Sequence, residues 1–253
     1  MQHFADDMVA AEIFGAGPTV WVLHSLLADA GSCRPLAAAL APRYRVVIPD
    51  LPGFGASKPA SGLEATAARI AAAIAEDAAA NGPVTLIGNG YGSFVALLVA
   101  LRRPGILARL ILAGTGAAFS EPGRAAFRAM AAAAGAKGLA AIADTAMRRL
   151  FAPAFQDANP ALMAERRARF LATDPQIFAQ ACADLAALDL RPEVPHITIP
   201  TLVLVGETDE ATPPPMAEEL AALVPGARFH QLPGLAHVPQ LQDTAQFVAA
   251  LGV

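Results

Sequence analysis

Several kinds of sequence feature are scarce in this chain of 253 residues. It has only two cysteines, Cys33 and Cys182, which are too few for a disulfide framework and lack the spacing of a zinc site. We therefore expect both to be small buried side chains in a reducing compartment such as the cytoplasm. The formal net charge is −4 and no basic stripe runs along the chain, so we expect no nucleic-acid partner.

Segments typical of targeting or of membrane insertion are also missing. The residues from Met1 to Met8 contain no basic region followed by an apolar core, so the sequence predicts no signal peptide. Although 55% of the residues are hydrophobic, no run approaches the roughly 18 uninterrupted apolar residues of a transmembrane helix. The alanine-rich tract from Ala125 to Ala146 is interrupted by charged residues and glycines, which indicates helices outside a membrane. We therefore expect no membrane partner.

Short β-type runs alternate with helical stretches over most of the chain. Continuous apolar runs, such as the one at Thr201–Val205, are typical of strands covered on both faces. The alternation predicts an α/β fold with a mostly parallel sheet and right-handed crossovers. The predicted strands are Thr19–His24, Arg45–Pro49, Val84–Gly88, Arg109–Gly114, Pro200–Gly206 and Arg228–Leu232. The predicted helices lie near Gly31–Leu40, Leu63–Ala80, Tyr91–Arg102, Pro214–Leu223 and Thr244–Leu251.

The alternation stops between about Thr115 and Pro195, where the sequence is rich in Ala, Arg and Phe and has helix breaks at Pro153, Pro160 and Pro175. An unstructured loop of that length is improbable in a compact domain. We interpret residues 116–194 as a helical cap inserted between two strands, and residues 1–115 and 195–253 as the core. A separate small domain without a catalytic role is the alternative. We favour the cap because the flanking strands are predicted to belong to one sheet.

Residues 84–92 read V-T-L-I-G-N-G-Y-G and carry the most specific signal in the chain. Gly88 and Gly92 match the outer glycines of the nucleophile elbow G-x-S-x-G, a sharp strand-to-helix turn with a catalytic serine at its tip. Gly90 occupies the position of that serine. Glycine tolerates the strained backbone of such a tip, which costs other residues about 1–3 kcal/mol. Taken alone, the motif also fits a glycine-rich turn with no catalytic role.

Three further stretches agree with a catalytic interpretation. His24-Ser25-Leu26-Leu27 follows the first strong strand, where an oxyanion loop would lie. Asp209 comes just after a strand that ends at Gly206, and His237 lies in a loop after the last predicted strand. The chain order is therefore elbow, acid, histidine, which is the order found in α/β-hydrolases.

With these motifs the chain resembles the α/β-hydrolase superfamily over essentially its whole length, and within it the 3-oxoadipate enol-lactonase and meta-cleavage-product hydrolase group. The matching stretches are L-H-S-L-L-A-D, P-D-L-P-G-F-G-A-S-K-P, L-I-G-N-G-Y-G-S-F-V-A-L, I-P-T-L-V-L-V-G-E-T-D and L-P-G-L-A-H-V-P-Q-L. The resemblance implies that His237 is the general base and that Asp209 holds its tautomer. It implies an oxyanion hole formed by the backbone N–H groups of Leu26 and Tyr91. The departure is Gly90, where the family carries serine, so its covalent mechanism lacks the usual attacking atom.

Other side chains compete for some of these roles. Glu207 and Glu210 flank Asp209, but the register after Gly206 favours Asp209 as the acid. None of the other candidate nucleophiles is predicted at the elbow tip, so we expect structural roles for Ser25, Ser93, Thr115 and Cys33.

The sequence leaves three functions open. The first is hydrolysis of a small carbonyl compound (an ester, an enol-lactone or the C–C bond of a ring-cleavage product) by the His237–Asp209 dyad. In that case Gly90 is either natural or an engineered replacement of serine, and it leaves room for about one water beside the imidazole. The second is base-only chemistry by a lyase, an isomerase or a cofactor-free oxygenase, and the third is a non-catalytic ligand-binding protein. No phosphate loop or metal spacing is present, so we expect no cofactor and no metal.

The cap suggests the nature of the substrate. We predict that its large apolar side chains divide between the cap core and an apolar pocket; they include Phe119, Phe127, Met130, Met147, Phe151, Phe155, Phe170 and Phe178. Most cap arginines are expected on solvated faces, with one available to pair with a substrate carboxylate; they are Arg124, Arg128, Arg148, Arg149, Arg166, Arg167 and Arg169. The sequence does not indicate the oligomeric state.

Overall fold

The computed structural model describes residues 1–252. These residues form one sheet of eight strands in the order β1-β2-β4-β3-β5-β6-β7-β8. The strands are β1 (Gln2–Phe4), β2 (Val9–Phe14), β3 (Thr19–Leu23), β4 (Arg45–Pro49), β5 (Val84–Asn89), β6 (Leu107–Ala113), β7 (Thr201–Gly206) and β8 (Arg228–Leu232). Neighbouring strands in the series β4-β3-β5-β6-β7-β8 pair in parallel. These six parallel strands confirm the predicted α/β fold with a mostly parallel sheet.

Helices cover both faces of this sheet. They are α1 (Arg34–Leu40), α2 (Gly62–Asn81), α3 (Tyr91–Arg102), α4 (Glu121–Lys137), α5 (Ala143–Leu150), α6 (Pro153–Ala158), α7 (Pro160–Leu171), α8 (Pro175–Ala187), α9 (Pro214–Leu223), α10 (Pro239–Gln242) and α11 (Thr244–Leu251). Among residues 1–252, no helix is both long and apolar enough to cross a membrane.

The central strands are buried on both faces because helices pack against each side. In β3, Trp21 and Leu23 belong to one apolar cluster, whereas Val20 and Val22 belong to the other. The first cluster includes side chains of α2 and α3, and the second includes side chains of α1 and α11. Successive strand residues point to opposite faces, so a continuous apolar run supplies both cores at once.

Two strands at the N-terminal edge were not predicted from the sequence. β1 pairs antiparallel with β2, and β2 pairs antiparallel with β4, with Ala11 opposite Pro49. The sequence of β2 is V-A-A-E-I-F, in which alanine and glutamate have low intrinsic preference for strands. Burial of Val9, Ala10 and Ala11 against the sheet outweighs that preference.

The chain between β6 and β7 forms the helical insert, which we define as residues 116–194 and which contains α4 to α8. Pro153, Pro160 and Pro175 each begin a helix, because a proline at the first helical position loses no internal hydrogen bond. Where the insert leaves and rejoins the sheet, its two ends run side by side, and the Leu190 N–H donates to the Ala117 carbonyl at 2.8 Å.

A buried carboxylate joins three elements on the α2 side of the sheet. Asp77 of α2 accepts hydrogen bonds from Trp21 Nε1 at 2.8 Å, from Arg45 at 2.9 Å and from Asn81 at 2.9 Å. Its side chain is only 2% exposed. A buried charge of this kind is tolerated only when its partners are in place.

Replacing Asp77 with alanine should therefore lower the free energy of unfolding by about 2–4 kcal/mol, because it leaves Arg45 and the indole N–H without their acceptor. The chain has a single tryptophan, so fluorescence of Trp21 during urea unfolding measures the loss directly. The control is Glu218→Gln on the exposed face of α9, which should change stability by less than about 0.5 kcal/mol. Equal stability of Asp77→Ala and the unmodified protein would show that the hydrogen bonds of the Asp77 carboxylate do not stabilise the fold.

Candidate active site

Gly90 lies between β5 and α3 with φ 55° and ψ −121°. This left-handed conformation is strained for residues that carry a side chain. The flanking glycines are needed for close packing, because a Cβ on Gly88 would lie 2.5 Å from Ser93 Cα and one on Gly92 2.5 Å from the Leu23 carbonyl oxygen. Residues 88–92 therefore have the backbone geometry of a tight strand-to-helix turn.

The candidate side chains collect at the carboxyl ends of the parallel strands. Ser25 follows β3, Gly90 follows β5 and Asp209 follows β7, while His237 lies in the loop after β8. Parallel strands place their carboxyl ends at the same edge of the sheet, which is where open α/β sheets bind ligands. Residues far apart in the sequence therefore meet there.

His237 and Asp209 form a buried hydrogen-bonded pair. His237 Nδ1 lies 3.0 Å from Asp209 Oδ2 and 3.2 Å from Oδ1. The N–H groups of Ala211 and Thr212 each donate to Asp209 Oδ1 at 2.9 Å, and the Thr212 hydroxyl donates to Oδ2 at 2.8 Å. A carboxylate fixed in this way favours the tautomer with hydrogen on Nδ1, which leaves the Nε2 lone pair available as a base.

The two rival acids are placed elsewhere. Glu207 accepts a hydrogen bond from the Gly234 N–H at 2.8 Å, and Glu210 is exposed. Asp209, at 3% exposure, is the acid that contacts the imidazole of His237.

The Nε2 atom of His237 faces Ser25, whose Oγ lies 3.2 Å away. A Cβ built on Gly90 would be 2.5 Å from that Oγ and 2.7 Å from Nε2. The expected room for a water beside Gly90 is therefore taken up by the Ser25 side chain. The expectation of a purely structural role for Ser25 overlooked this contact, since the sequence does not show that β3 and β5 are neighbours in the sheet.

His24 supports the loop that carries Ser25. His24 Nδ1 donates to the Ser25 carbonyl at 3.0 Å, and its Nε2 accepts from the Leu51 N–H at 3.1 Å. Burial lowers the pKa of His24 below its usual range, which favours the neutral imidazole that these two bonds require. The same Ser25 carbonyl also accepts from the Ala28 N–H at 3.2 Å.

An ion pair connects this loop to the helical insert. Arg166 of α7 is 4% exposed and donates to Asp29 Oδ1 at 2.6 Å. Arg169 lies 3.7 Å from the other carboxylate oxygen of Asp29. The insert thereby fixes the loop four residues beyond Ser25.

Asn89 connects the tight turn to the histidine loop, and the sequence interpretation missed it. Its side-chain amide donates to the His237 carbonyl at 2.8 Å and accepts from Gln240 Nε2 at 3.1 Å. The G-N-G-Y-G motif places Asn89 beside the tip, but only the fold shows its distant partners.

Leu26 and Tyr91 are the proposed oxyanion donors. Among the described residues, neither backbone N–H has an acceptor within hydrogen-bond distance. Both residues line the cavity that contains Ser25, Gly90 and His237. The two N–H groups are therefore free to bind an oxygen of a ligand, and their role as an oxyanion hole stays a prediction.

The cavity beside His237 is small, with a volume of about 40 Å³, and mostly apolar. Four of the large apolar residues singled out in the sequence line it: Phe119, Phe127, Met130 and Phe178. Phe151 and Phe155 pack against each other at a ring distance of 5.1 Å instead. The large apolar side chains of the insert are thus divided between the cavity wall and the packing of the insert itself, as the sequence predicts.

The remaining candidate nucleophiles are engaged elsewhere or shielded. The Ser93 hydroxyl donates to the Ala113 carbonyl at 2.9 Å and accepts from the Ala113 N–H at 3.1 Å. Burial raises the pKa of the Cys33 thiol to about 12, and that of Cys182 likewise to about 12. Within residues 1–252, no group of three or more His, Cys, Asp or Glu side chains is arranged to hold a metal ion.

Comparison with known proteins adds independent information. A model of the "Alpha/beta hydrolase family" matches residues 14–250. The pimeloyl-acyl-carrier-protein methyl ester esterase of Chromobacterium violaceum is 30% identical, with 95% of each chain covered. Polyketide synthase ThaQ of Burkholderia thailandensis is 31% identical over 94% of this chain, which spans only 12% of that protein.

Solved structures agree with these sequence matches. The enol-lactonase from Burkholderia xenovorans LB400 superposes with a TM-score of 0.88 at 27% identity, covering 97% of this chain and 96% of that one. The predicted α/β-hydrolase fold and the predicted resemblance to enol-lactonases are therefore confirmed.

Because both cysteines are buried with raised pKa values, neither should react in the native protein at pH 8, where each thiol is protonated. Ellman's reagent should release no chromophore from the native chain, and two equivalents after unfolding in guanidinium. Rapid reaction of one thiol in the native state, with loss of function, would instead make that cysteine a candidate catalytic group.

Proposed function

The chain belongs to the alpha/beta hydrolase family and is an enzyme of that fold, and from this premise we propose that it hydrolyses a small carboxylic ester or lactone with His237 as general base. The observation that carries the proposal is the buried His237–Asp209 pair, which lines an apolar cavity at the carboxyl edge of the sheet with Nε2 directed to a serine hydroxyl. The names of the relatives agree with this reaction type, since one is a methyl ester esterase and another an enol-lactonase.

The proposed chemistry follows from the two nitrogens of His237. Nε2 accepts a proton from the attacking hydroxyl, and the buried Asp209 carboxylate stabilises the imidazolium that forms. General-base assistance of this kind contributes about 10²–10⁴-fold to a rate. The N–H groups of Leu26 and Tyr91 would stabilise the oxyanion, and the loss of one such donor costs about 10²–10³-fold in an enzyme where it was measured.

Arg149 suggests that the substrate also carries a negative charge. It is the one arginine among the residues that line the cavity, and its guanidinium has no partner within residues 1–252. The other cap arginines have partners: Arg124 donates to the Ala186 and Leu188 carbonyls, and Arg166 to Asp29. An unpaired guanidinium at the edge of an apolar cavity favours an acyl chain that ends in a carboxylate.

Base-only chemistry and simple ligand binding are the alternatives, and turnover of an ester separates them from the proposal. A binding protein would release no alcohol from an ester, whereas a lyase or oxygenase would act on an enolisable substrate without hydrolysis. The hydrogen bond between His237 Nδ1 and Asp209 supports catalysis more than passive binding, because it leaves His237 Nε2 without a backbone partner among the described residues.

Replacement of His237 by alanine should lower kcat/KM for p-nitrophenyl acetate by at least about 10²-fold, because the general base is lost. His230→Ala is the matched control, since His230 is an exposed histidine of β8 and should leave kcat/KM unchanged. Release of p-nitrophenolate measures both. If His237→Ala retains the rate of the unmodified enzyme, the assignment of the base is wrong.

Arg149→Met should raise KM for monomethyl glutarate by about 10–100-fold, the loss of one charge-assisted hydrogen bond, and leave KM for methyl butyrate unchanged. Arg148→Met is the control, because Arg148 is exposed and bonds to Thr145. Proton release during hydrolysis measures both esters. An equal change for the charged and the neutral ester would contradict a carboxylate subsite.

A further inference from the structure

We propose that Ser25 supplies the nucleophilic hydroxyl that Gly90 lacks, so that the site operates as a Ser25–His237–Asp209 triad. The inference rests on the proposed hydrolytic function and names the atom that attacks. Ser25 Oγ lies 3.2 Å from His237 Nε2, and His237 Nδ1 lies 3.0 Å from Asp209 Oδ2. The hydroxyl, imidazole and carboxylate thus form one continuous hydrogen-bonded chain, which is the arrangement that activates a serine.

The sheet register explains how residue 25 can replace residue 90. β3 and β5 pair in parallel, with Leu23 opposite Gly88. Two residues further along each strand are Ser25 and Gly90, so the tips of the two strands lie next to each other. A hydroxyl carried by either tip reaches the same imidazole nitrogen.

In the conformation of this site, a side chain at residue 90 and the hydroxyl of Ser25 exclude each other. A Cβ at residue 90 would lie 2.5 Å from Ser25 Oγ and 2.9 Å from Ser25 Cβ, well inside the normal contact distance of about 3.5 Å. Glycine at the tip therefore leaves Ser25 room to hold its hydroxyl against the imidazole in the observed position. With Ser25 as the nucleophile, the triad has all three of its groups.

Several contacts hold the backbone that carries the Ser25 hydroxyl. The Ser25 carbonyl accepts hydrogen bonds from His24 Nδ1 and from the Ala28 N–H. The loop is tethered to the helical insert by the Arg166–Asp29 ion pair. Ser25 is 1% exposed, yet it lines the cavity with His237. Such pre-organisation keeps a nucleophile close to its base.

The two proposed oxyanion donors serve this nucleophile equally well. In the family, the hole combines the N–H after the elbow nucleophile with an N–H from the loop after β3. When Ser25 attacks, Leu26 becomes the residue after the nucleophile, and Tyr91 becomes the donor from the neighbouring tip. The N–H groups of Leu26 and Tyr91 thus exchange the two positions, one after the nucleophile and one on the neighbouring loop.

The reaction balances without any further reactant except water. Ser25 Oγ forms a bond to the carbonyl carbon while its proton passes to His237 Nε2. The tetrahedral intermediate collapses, the ester C–O bond breaks, and the leaving alkoxide takes the proton from Nε2. Water then gives its proton to Nε2 and attacks the Ser25 acyl ester, and the acid leaves as Ser25 regains its proton.

The test is covalent labelling with a fluorophosphonate ester, which reacts with an activated serine and releases fluoride. We expect the unmodified protein to carry the phosphonyl group on the peptide that contains Ser25, as mapped by tandem mass spectrometry. Ser25→Ala should remove this label and reduce hydrolysis of p-nitrophenyl acetate by at least about 10³-fold, since loss of a triad serine has cost about 10⁶-fold elsewhere. Ser93→Ala is the control and should be labelled at the normal rate, because its hydroxyl bonds to Ala113.

Two variants test the exclusion between the tips. Gly90→Ser alone should lower the melting temperature and gain no activity, because the new Cβ collides with Ser25 and with the imidazole of His237. Ser25→Gly combined with Gly90→Ser removes the collision with Ser25, so that only the imidazole of His237 must shift, and the protein should then be labelled at residue 90. A single variant that is fully stable and labelled at both positions would overturn the exclusion.

The outcomes separate this inference from the proposed function. Ester hydrolysis that persists in Ser25→Ala, with no label on Ser25 in the unmodified protein, would overturn the relocated nucleophile and leave the hydrolase proposal intact. A label on Ser25 without hydrolysis of any ester would uphold the nucleophile and refute the proposed reaction. Absence of both label and hydrolysis would refute both.

Discussion

Parallel pairing of β3 with β5, in the register that sets Leu23 opposite Gly88, is the constraint on which the site depends. It brings the tip of β3 against the tip of β5, so that a Cβ at residue 90 would collide with the Ser25 side chain in its observed position. In this chain residue 25 carries the hydroxyl. The imidazole of His237 contacts that hydroxyl, with Nε2 3.2 Å from Ser25 Oγ.

The supporting contacts come from residues that are far apart in the sequence. Asn89 fixes the His237 backbone, and the Thr212 hydroxyl and two N–H groups fix Asp209. On the serine side, His24 and the insert residue Arg166 hold the loop. Each of these residues is buried and makes at least one hydrogen bond, as burial of a polar group requires, although the Nε atom of Arg166 has no partner within residues 1–252. The helical insert thus contributes the apolar wall of the cavity. It also contributes Arg166, whose ion pair with Asp29 fixes the loop that carries Ser25.

Much of this arrangement could be predicted from the sequence. Six strands were predicted within one or two residues of their bounds, most of them from continuous apolar runs, because fully buried parallel strands need such runs. The exposed edge strand β8, with the sequence R-F-H-Q-L, has no such run. The sequence did not predict β1 and β2, because the buried alanines of β2 do not form a strand pattern. Their extended conformation depends on pairing with the neighbouring strand β4. The spacing after Gly206 selected Asp209 over its acidic neighbours, because a strand end fixes which nearby residue turns toward the edge.

The sequence by itself determined the α/β fold, the tight turn at Gly90 and the order of turn, acid and histidine. It also places Gly90 at the tip of that turn, where the resemblance predicts a serine. Only the tertiary structure decided what stands in its place. Strand order in a sheet is set by long-range packing, so the distance of 3.2 Å between Ser25 and His237, which are 212 residues apart in the chain, is a property of the fold alone.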